Sequence, residues 1–265
     1  MTIATTPATD DYIDFCRGVQ SLCRIDLAQY KRAQMERRIR TFASGRGVEE
    51  LPAYLTVLRR DRDELEAFLD RITINVSQLW RNPEQWKVLG DHVLPELAAE
   101  GRVRVWSAGC SYGAEAYTLA AIAADAIPGT RVEVRGTDID ERIVAQAKTG
   151  RFSIADARTA PARELQRWFH RDGDEYVAKP ELRRGLRFDV GDLLRMRSRP
   201  ASFDLILCRN TVIYFNQEVR DDLHRRLAEA LRPGGVLIVG ATERVADAPA
   251  LGLAATHPFT YRKAG

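Results

Sequence analysis

Apolar and polar positions repeat with two different periods along this chain, and the change of period divides it. From Asp11 to about Thr73 the period is helical. Leu27, Met35, Ile39 and Phe42 fall on one side of a segment covering 27–42, which Ser44-Gly45-Arg46-Gly47 interrupts. Leu51, Tyr54, Leu55 and Leu58 mark the next helix, and Leu65, Phe68, Leu69 and Ile72 another. After a polar connector, Asn82 and Pro83 open a helix through Trp86, Val88, Leu89 and Val93 towards Leu97. From residue 101 the pattern changes to short apolar runs separated by helical stretches. Val103, Val105 and Trp106 form one run, Val132 to Thr137 another, followed by Leu186 to Val190, Phe203 to Cys208 and Val236 to Gly240. Helices are predicted over Glu115 to Ala126, Glu141 to Thr149 and Glu218 to Leu231, the last stopped by Arg232-Pro233-Gly234-Gly235. His257 to Arg262 reads as one final strand.

Strands alternating with helices over 101–240 imply an α/β fold with a doubly wound, Rossmann-like parallel sheet. Asp172-Gly173-Asp174 is a turn between Trp168-Phe169 and Tyr176-Val177, so a small β hairpin is expected as an insert at about 165–190. The predicted layout is a flexible tail at 1–10 and a small all-α N-terminal domain at 11–73. A linker and helix follow at 74–100, then the α/β domain at 101–265.

Composition narrows the classes without choosing one. The 265 residues, 45% hydrophobic and 29% charged, suit a soluble globular protein with ample core. A net charge of +3 is too small to imply nucleic acid, and no apolar run approaches the roughly 20 residues of a membrane span. The start of the chain lacks the features of a secretory signal. Cys16, Cys23, Cys110 and Cys208 form no C-x-x-C pair, so no metal site is expected and a reducing cytoplasm is the expected compartment.

The chemistry lies where strands end. Ser107 to Gly113 is a loop of small residues that lets a bound molecule approach the backbone. It lacks the G-x-G-x-x-G that holds a pyrophosphate, and Glu115 in the following first turn would repel phosphate but suit a cationic amine. Asp138, ending the second strand, can accept from both hydroxyls of a ribose. A ribose and an amine without phosphate describe S-adenosylmethionine better than a dinucleotide. Asp192 and Asn210 also follow strand ends, hence the same crevice. Asn75, Ser77 and Arg81 stand in the polar connector just before this half of the chain. In the N-terminal part, Lys31, Arg32, Arg37, Arg38 and Arg40 crowd one segment with only Glu36 among them. A run of charge is ordinarily a solvated face, but Lys31 and Arg38 are seven apart and share a stripe, which suits an acidic protein partner.

Three stretches resemble the chemotaxis receptor methyltransferase family, CheR. Asn75-x-Ser77-x-x-Trp80-Arg81 is similar to the family's N-x-[ST]-x-F-F-R. Arg104-Val-Trp-Ser-Ala-Gly-Cys-Ser-Tyr-Gly113-Ala-Glu115-Ala-Tyr117 is similar to R-V-W-S-A-A-x-S-x-G-E-E-P-Y-S. Cys208-Arg-Asn-Thr-Val-Ile-Tyr-Phe215 is similar to C-R-N-V-M-I-Y-F. The resemblance spans about 12–263. It implies the Rossmann-like fold of class I methyltransferases, S-adenosylmethionine as donor, S-adenosylhomocysteine as product, and glutamate side chains of chemoreceptors as acceptors. By motif position Asn75, Ser77, Arg81, Glu115, Asp138, Asp192, Leu193, Arg209 and Asn210 would contact the donor. Arg81 and Tyr214 would line the reacting centre, and Lys31 and Arg38 would face acidic receptor helices. A monomer in the cytoplasm, with no nucleic acid and no membrane insertion, is the corresponding expectation.

The chain departs from the family pattern at Trp80, Ala114, Ala116 and Asp192, and its insert is a few residues shorter than in members that grip a receptor tail. A tether-independent enzyme is therefore expected. The alternatives are a donor-binding regulatory module and a methyltransferase for another protein or a small carboxylate. Base N-methylation is disfavoured, because Arg209-Asn210-Thr211-Val212 stands where [DN]-P-P-[YF] would be.

Overall fold

A computed structural model describes residues 10–73 and 76–265. The chain forms two compact units: residues Met1–Ile74 with Tyr214–Asn216, and residues Asn75–Ile213 with Gln217–Gly265.

The first unit is helical. α1 (Asp11–Cys23) starts at Asp10, whose carboxylate accepts from the Tyr12 amide and supplies one of the partners a helix start lacks. Asp10 thus belongs to the helix start, and residues 1–9 of the expected tail lie outside the described residues. α2 (Arg32–Ser44), α3 (Leu51–Arg60) and α4 (Arg62–Thr73) follow. Phe15, Tyr54 and Phe68 are fully buried and pack ring on ring, with centroids 5.9–6.2 Å apart. Gly18 allows α1 and α3 to close up, since a Cβ there would stand 2.3 Å from Leu55 Cδ2. The helix expected over 27–42 is instead a 3-10 turn (Leu27–Gln29) and α2, with Lys31 at the N-cap position. The cause is tertiary. Tyr30 is extended and bridges Phe215, while the Lys31 amide donates to the Tyr214 carbonyl at 2.9 Å, so the backbone there cannot be helical.

In the second unit, α5 (Pro83–Val88) runs through a π turn (Leu89–Val93) into α6 (Leu94–Leu97). Pro95 explains the wide turn: it has no N–H for the Asp91 carbonyl and its ring would collide with that group. The core of the unit is a seven-stranded sheet containing β1 (Arg102–Ala108) and β2 (Arg131–Asp138), joined by α7 (Ala114–Ala126). α8 (Glu141–Thr149) leads to a smaller sheet of β3 (Arg151–Ser153), β4 (Phe169–Asp172) and β5 (Glu175–Ala178), with α9 (Ala162–Trp168) before β4 and α10 (Pro180–Arg183) after β5. The insert is therefore three-stranded, in the order β3-β5-β4, rather than a lone hairpin. The chain returns to the large sheet with β6 (Leu186–Val190), β7 (Phe203–Cys208), α11 (Gln217–Ala230), β8 (Leu231–Val239), β9 (Leu253–His257) and β10 (Thr260–Lys263).

Strand order is β6-β2-β1-β7-β8-β10-β9, parallel from β6 to β8, with β10 antiparallel to both its neighbours. The expected single strand at 257–262 is thus a β9–β10 pair that turns at Pro258-Phe259, where Phe259 has φ 61°. β8 starts five residues before its expected position. Phe203 pairs with Leu231, and the register slips before Leu205 pairs with Val236, so Arg232 to Gly235 form an irregular strand instead of a stop. The chain runs outward from β1 to β2 and β6, then crosses back to β7 on the other side of β1, which makes the β1/β7 boundary the switch point of the sheet. Among the described residues no helix is long and apolar enough to cross a membrane.

Candidate functional site

Parallel registration brings the carboxyl ends of four strands level. Ala108 lies opposite Thr137, Asp138 opposite Val190, and Ser107 opposite Leu207. The loop after β1 folds back on β2: the amides of Gly109 and Cys110 both donate to the Thr137 carbonyl at 2.9 Å. Gly109 has φ 82°, and a Cβ on it would stand 2.5 Å from Thr211 Oγ1 beyond β7, so only glycine lets the two strand-end loops meet.

Asp138 stands in this crevice with acceptor capacity to spare. Its Oδ2 accepts from the Ser111 amide at 2.8 Å and its Oδ1 from the Asp140 amide at 3.2 Å. A carboxylate has about four acceptor positions, so capacity remains for a ligand. Burial raises its pKa above the ordinary aspartate value, and the amides of Ser111, Asp140 and Ile139 oppose that rise. Beside it, the Ser111 hydroxyl oxygen is buried without a hydrogen-bond partner, on a residue with φ 49°. The Asp138 carbonyl accepts from the Gly191 amide at 2.8 Å, which holds the β6 loop against it. In that loop Asp192 Oδ1 accepts from the Leu194 amide at 2.8 Å, and Leu193 is buried.

Glu115 and Arg209 form a buried pair, Nη1 to Oε2 3.2 Å, and Ser107 Oγ donates to the other carboxylate oxygen at 2.7 Å. The rest of the Arg209 guanidinium is directed at the segment before α5. Nε donates to Gln85 Oε1 at 3.0 Å, and Nη2 donates to the Arg81 carbonyl at 2.7 Å and to Asn82 Oδ1 at 3.3 Å. The guanidinium also lies over the Trp86 ring, 4.8 Å from its centroid. Asn82 therefore does not cap α5 with its side chain, as its position suggested; it has φ 59° and serves Arg209. The same segment is tied to the β1 loop, because the Tyr112 hydroxyl donates to the Ser77 carbonyl and lies 2.9 Å from Asp156 Oδ1. Ser77 and Arg81 are thus gathered towards Glu115 and the β1 loop, and the Arg81 side chain donates to the Val76 carbonyl at 3.0 Å. Asn75 lies outside the described residues.

Asn210 has φ 58° at the end of β7, a conformation fixed from below by Glu243. Glu243 Oε2 accepts from the amides of Asn210 at 2.9 Å and Gly240 at 2.6 Å. Glu243 was absent from the residues singled out in the sequence, as were Gln85 and Tyr112. They hold backbone and side chains in place, Gln85 from a polar position of α5 and the other two from loops. The one available signal was an acid three residues past a strand that ends on glycine.

The remaining expected residues lie in the helical unit. Lys31, Arg38 and Tyr214 line one cavity of about 410 Å³ there, with Arg37, Thr41 and Arg71.

Spare acceptor capacity on Asp138, an orphan hydroxyl on Ser111, a close-approach glycine and a buried acid form a polar cradle without a phosphate-binding motif. That combination suits an adenosine carrying a cationic tail. Comparison with known proteins agrees. Residues 10–73 match the family described as CheR methyltransferase, all-alpha domain, and residues 75–254 match CheR methyltransferase, SAM binding domain. A chemotaxis protein methyltransferase of Listeria monocytogenes is 36% identical over 96% of this chain and 97% of its own length. Chemotaxis protein methyltransferase 1 of Pseudomonas aeruginosa is 31% identical over 91% and 93%, and the Salmonella typhimurium protein 30% over 88% and 83%. The two domains in their order, with the acidic strand end and the cradle beside it, make this chain a member of the CheR family of S-adenosylmethionine-dependent methyltransferases.

Proposed function

We propose that this enzyme methylates glutamate side chains of chemoreceptors in the cytoplasm. The observation that carries the reading is its similarity, along nearly the whole of both chains, to a protein named for chemotaxis methylation. Bound S-adenosylmethionine supplies a methyl group on a positively charged sulfur. A glutamate carboxylate, with an ordinary pKa near 4.3, is already a nucleophile at pH 7 and needs no base. What the protein contributes is placement and exclusion of water.

In this reading Asp138 holds the ribose hydroxyls and Ser111 completes that contact. Glu115 faces the donor's amino group, while Arg209 fixes Glu115. Asn75, Ser77, Asp192, Leu193 and Asn210 line the remainder. Arg81 orients a carboxylate through a partial contact, because full pairing would weaken the nucleophile. Tyr214, four residues after Asn210, is proposed to hydrogen-bond near the acceptor, and its place beside Lys31 and Arg38 supports a role towards the substrate.

Labelled donor incubated with cytoplasmic fragments of chemoreceptors should give base-labile label that maps to glutamate. Label on another residue type, or none with any fragment, overturns the reading. Asp138→Ala should weaken S-adenosylhomocysteine binding by about 1.5–3 kcal/mol in calorimetry, the range for hydrogen bonds to a charged group. A folded variant with unchanged affinity would remove Asp138 from the donor site.

A further inference from the structure

The connection from β6 to β7 has no helix or strand of its own, yet it carries Asp192 and Leu193 of the donor site. Three devices hold its first half. The Gly191 amide ties it to the Asp138 carbonyl at the end of β2. The Asp192 carbonyl accepts from the amides of Arg195 and Met196, at 3.0 and 2.8 Å, and winds 192–196 into one turn. The third device comes from another element. Arg226 of α11 points inward, with 8% of its side chain exposed, and its Nη1 donates to the carbonyls of Leu193 at 2.7 Å and Met196 at 3.1 Å. Asp222, one turn earlier, accepts from Nε at 2.8 Å and orients the guanidinium. A guanidinium kept from water and committed to two carbonyls of an irregular loop is a clamp on that loop.

The clamp reaches a side chain it does not touch. The Leu193 carbonyl and the Leu194 N–H belong to one planar peptide group. Arg226 holds the carbonyl end, and Asp192 Oδ1 accepts from the N–H end at 2.8 Å. The direction of the Asp192 carboxylate therefore follows a plane that Arg226 sets. Strand order shows what lies before it. Glu115 is bonded to Ser107 of β1 and to Arg209 just past β7, Asp138 ends β2, and β6 is the next strand outward. A methyl donor with its amino group at Glu115 and its ribose at Asp138 thus extends its base over the β6 loop. We propose that Arg226 is a positioning residue for that base: it holds the turn at 192–196 so that the Asp192 carboxylate meets the exocyclic amine of adenine. The inference rests on the donor site as read above and extends it to a residue that touches no ligand. A carboxylate accepts from an amine but repels the keto oxygen that hypoxanthine carries in its place. Loosening the turn therefore removes the preference for adenine before it removes binding.

The test is calorimetry on the full-length protein with S-adenosylhomocysteine and with S-inosylhomocysteine, which differs only in the base. The parent should prefer the adenosine compound by about tenfold or more, the scale of one hydrogen bond to a charged group. Arg226→Met keeps the length and the apolar stem of the side chain and removes its N–H groups. It should bring the preference close to unity by weakening the adenosine compound alone, with binding of the inosine compound hardly changed. Arg226→Lys keeps a charged N–H donor and should retain part of the preference, and it carries the comparison if the methionine variant does not fold. With a receptor fragment as acceptor, Arg226→Met should raise KM for the methyl donor by the same factor and leave kcat and the receptor KM unaltered. A loss shared equally by both compounds makes Arg226 a general stabiliser of the fold and overturns the inference. So does a preference that survives undiminished in the folded variant, or a parent that binds both compounds alike. The calorimetry contains no acceptor, so these outcomes leave the glutamate reading standing. A failure to label any receptor fragment would in turn leave the calorimetric result unchanged.

Discussion

Four of the five N–H groups of the Arg209 guanidinium are taken by protein acceptors, and its face rests on Trp86. That leaves little of it for a ligand and makes it the fastening between β7, Glu115 and the segment carrying Arg81. Removing it would strand Glu115 as a buried charge, at a cost of about 3–5 kcal/mol. Arg209→Ala should therefore lower stability by that amount in urea unfolding, with donor affinity falling as a consequence. A variant of parental stability that no longer binds S-adenosylhomocysteine would instead make Arg209 a direct donor contact. Residues of this kind are hard to read from sequence. Asp138 and Asp192 were legible because an apolar run marks where a strand ends. Gln85 is a polar position of a helix marked only by its apolar residues, nothing periodic surrounds Tyr112 or Glu243, and each of the three reaches a partner 33 to 154 residues away in the chain.

At the level of elements, buried strands and amphipathic helices were legible where their neighbours were regular. β1, β2, β6 and β7 stand at their expected places: β7, buried along its length, is a nearly continuous apolar run, whereas β6, at the sheet edge, shows by the alternation of Leu186, Phe188 and Val190. The misses have tertiary causes. β8 is extended by pairing with β7 through residues that look like a turn, and the break before α2 is imposed by Phe215, which no local pattern near Tyr30 announces. β3 is three residues long and gains its place only by pairing with β5. The small sheet matters for recognition. Its β4–β5 turn is two residues, Gly173 and Asp174, and leaves no loop to close over a peptide. Clasping a receptor tail by strand addition needs such an edge and loop. We expect methylation of a receptor to proceed at the same rate when its extreme C-terminus is deleted, and a peptide of that tail to show no tight binding in calorimetry. A slower reaction on the truncated receptor would refute the tether-independent reading.

For the molecule as a whole, stability should fall in mild acid through His224. The side chain is 1% exposed and neither ring nitrogen has a hydrogen-bond partner. Burial, reinforced by Arg220, lowers its pKa from 6.5 to about 4. Because the folded value lies below the unfolded one, the unfolded chain takes up the proton first. The contribution is intact above pH 6.5 and is lost as pH falls from 6.5 towards 4. Urea unfolding at pH 7.5 and pH 5 should differ by about 2 kcal/mol from this group alone. His224→Leu should flatten that difference, and an unchanged difference would assign the acid sensitivity elsewhere. The division of the chain has a further consequence, one of timing during synthesis. The helical unit is the first to leave the ribosome, yet its last piece, Tyr214–Asn216, follows about 140 residues later. At about 5–20 residues per second the wait is roughly 7–28 s. Throughout it Tyr30 lacks its bridge to Phe215, and the basic cavity lacks the Tyr214 side of its wall. A nascent or truncated chain therefore cannot complete this cavity until β1 to β7 have been made.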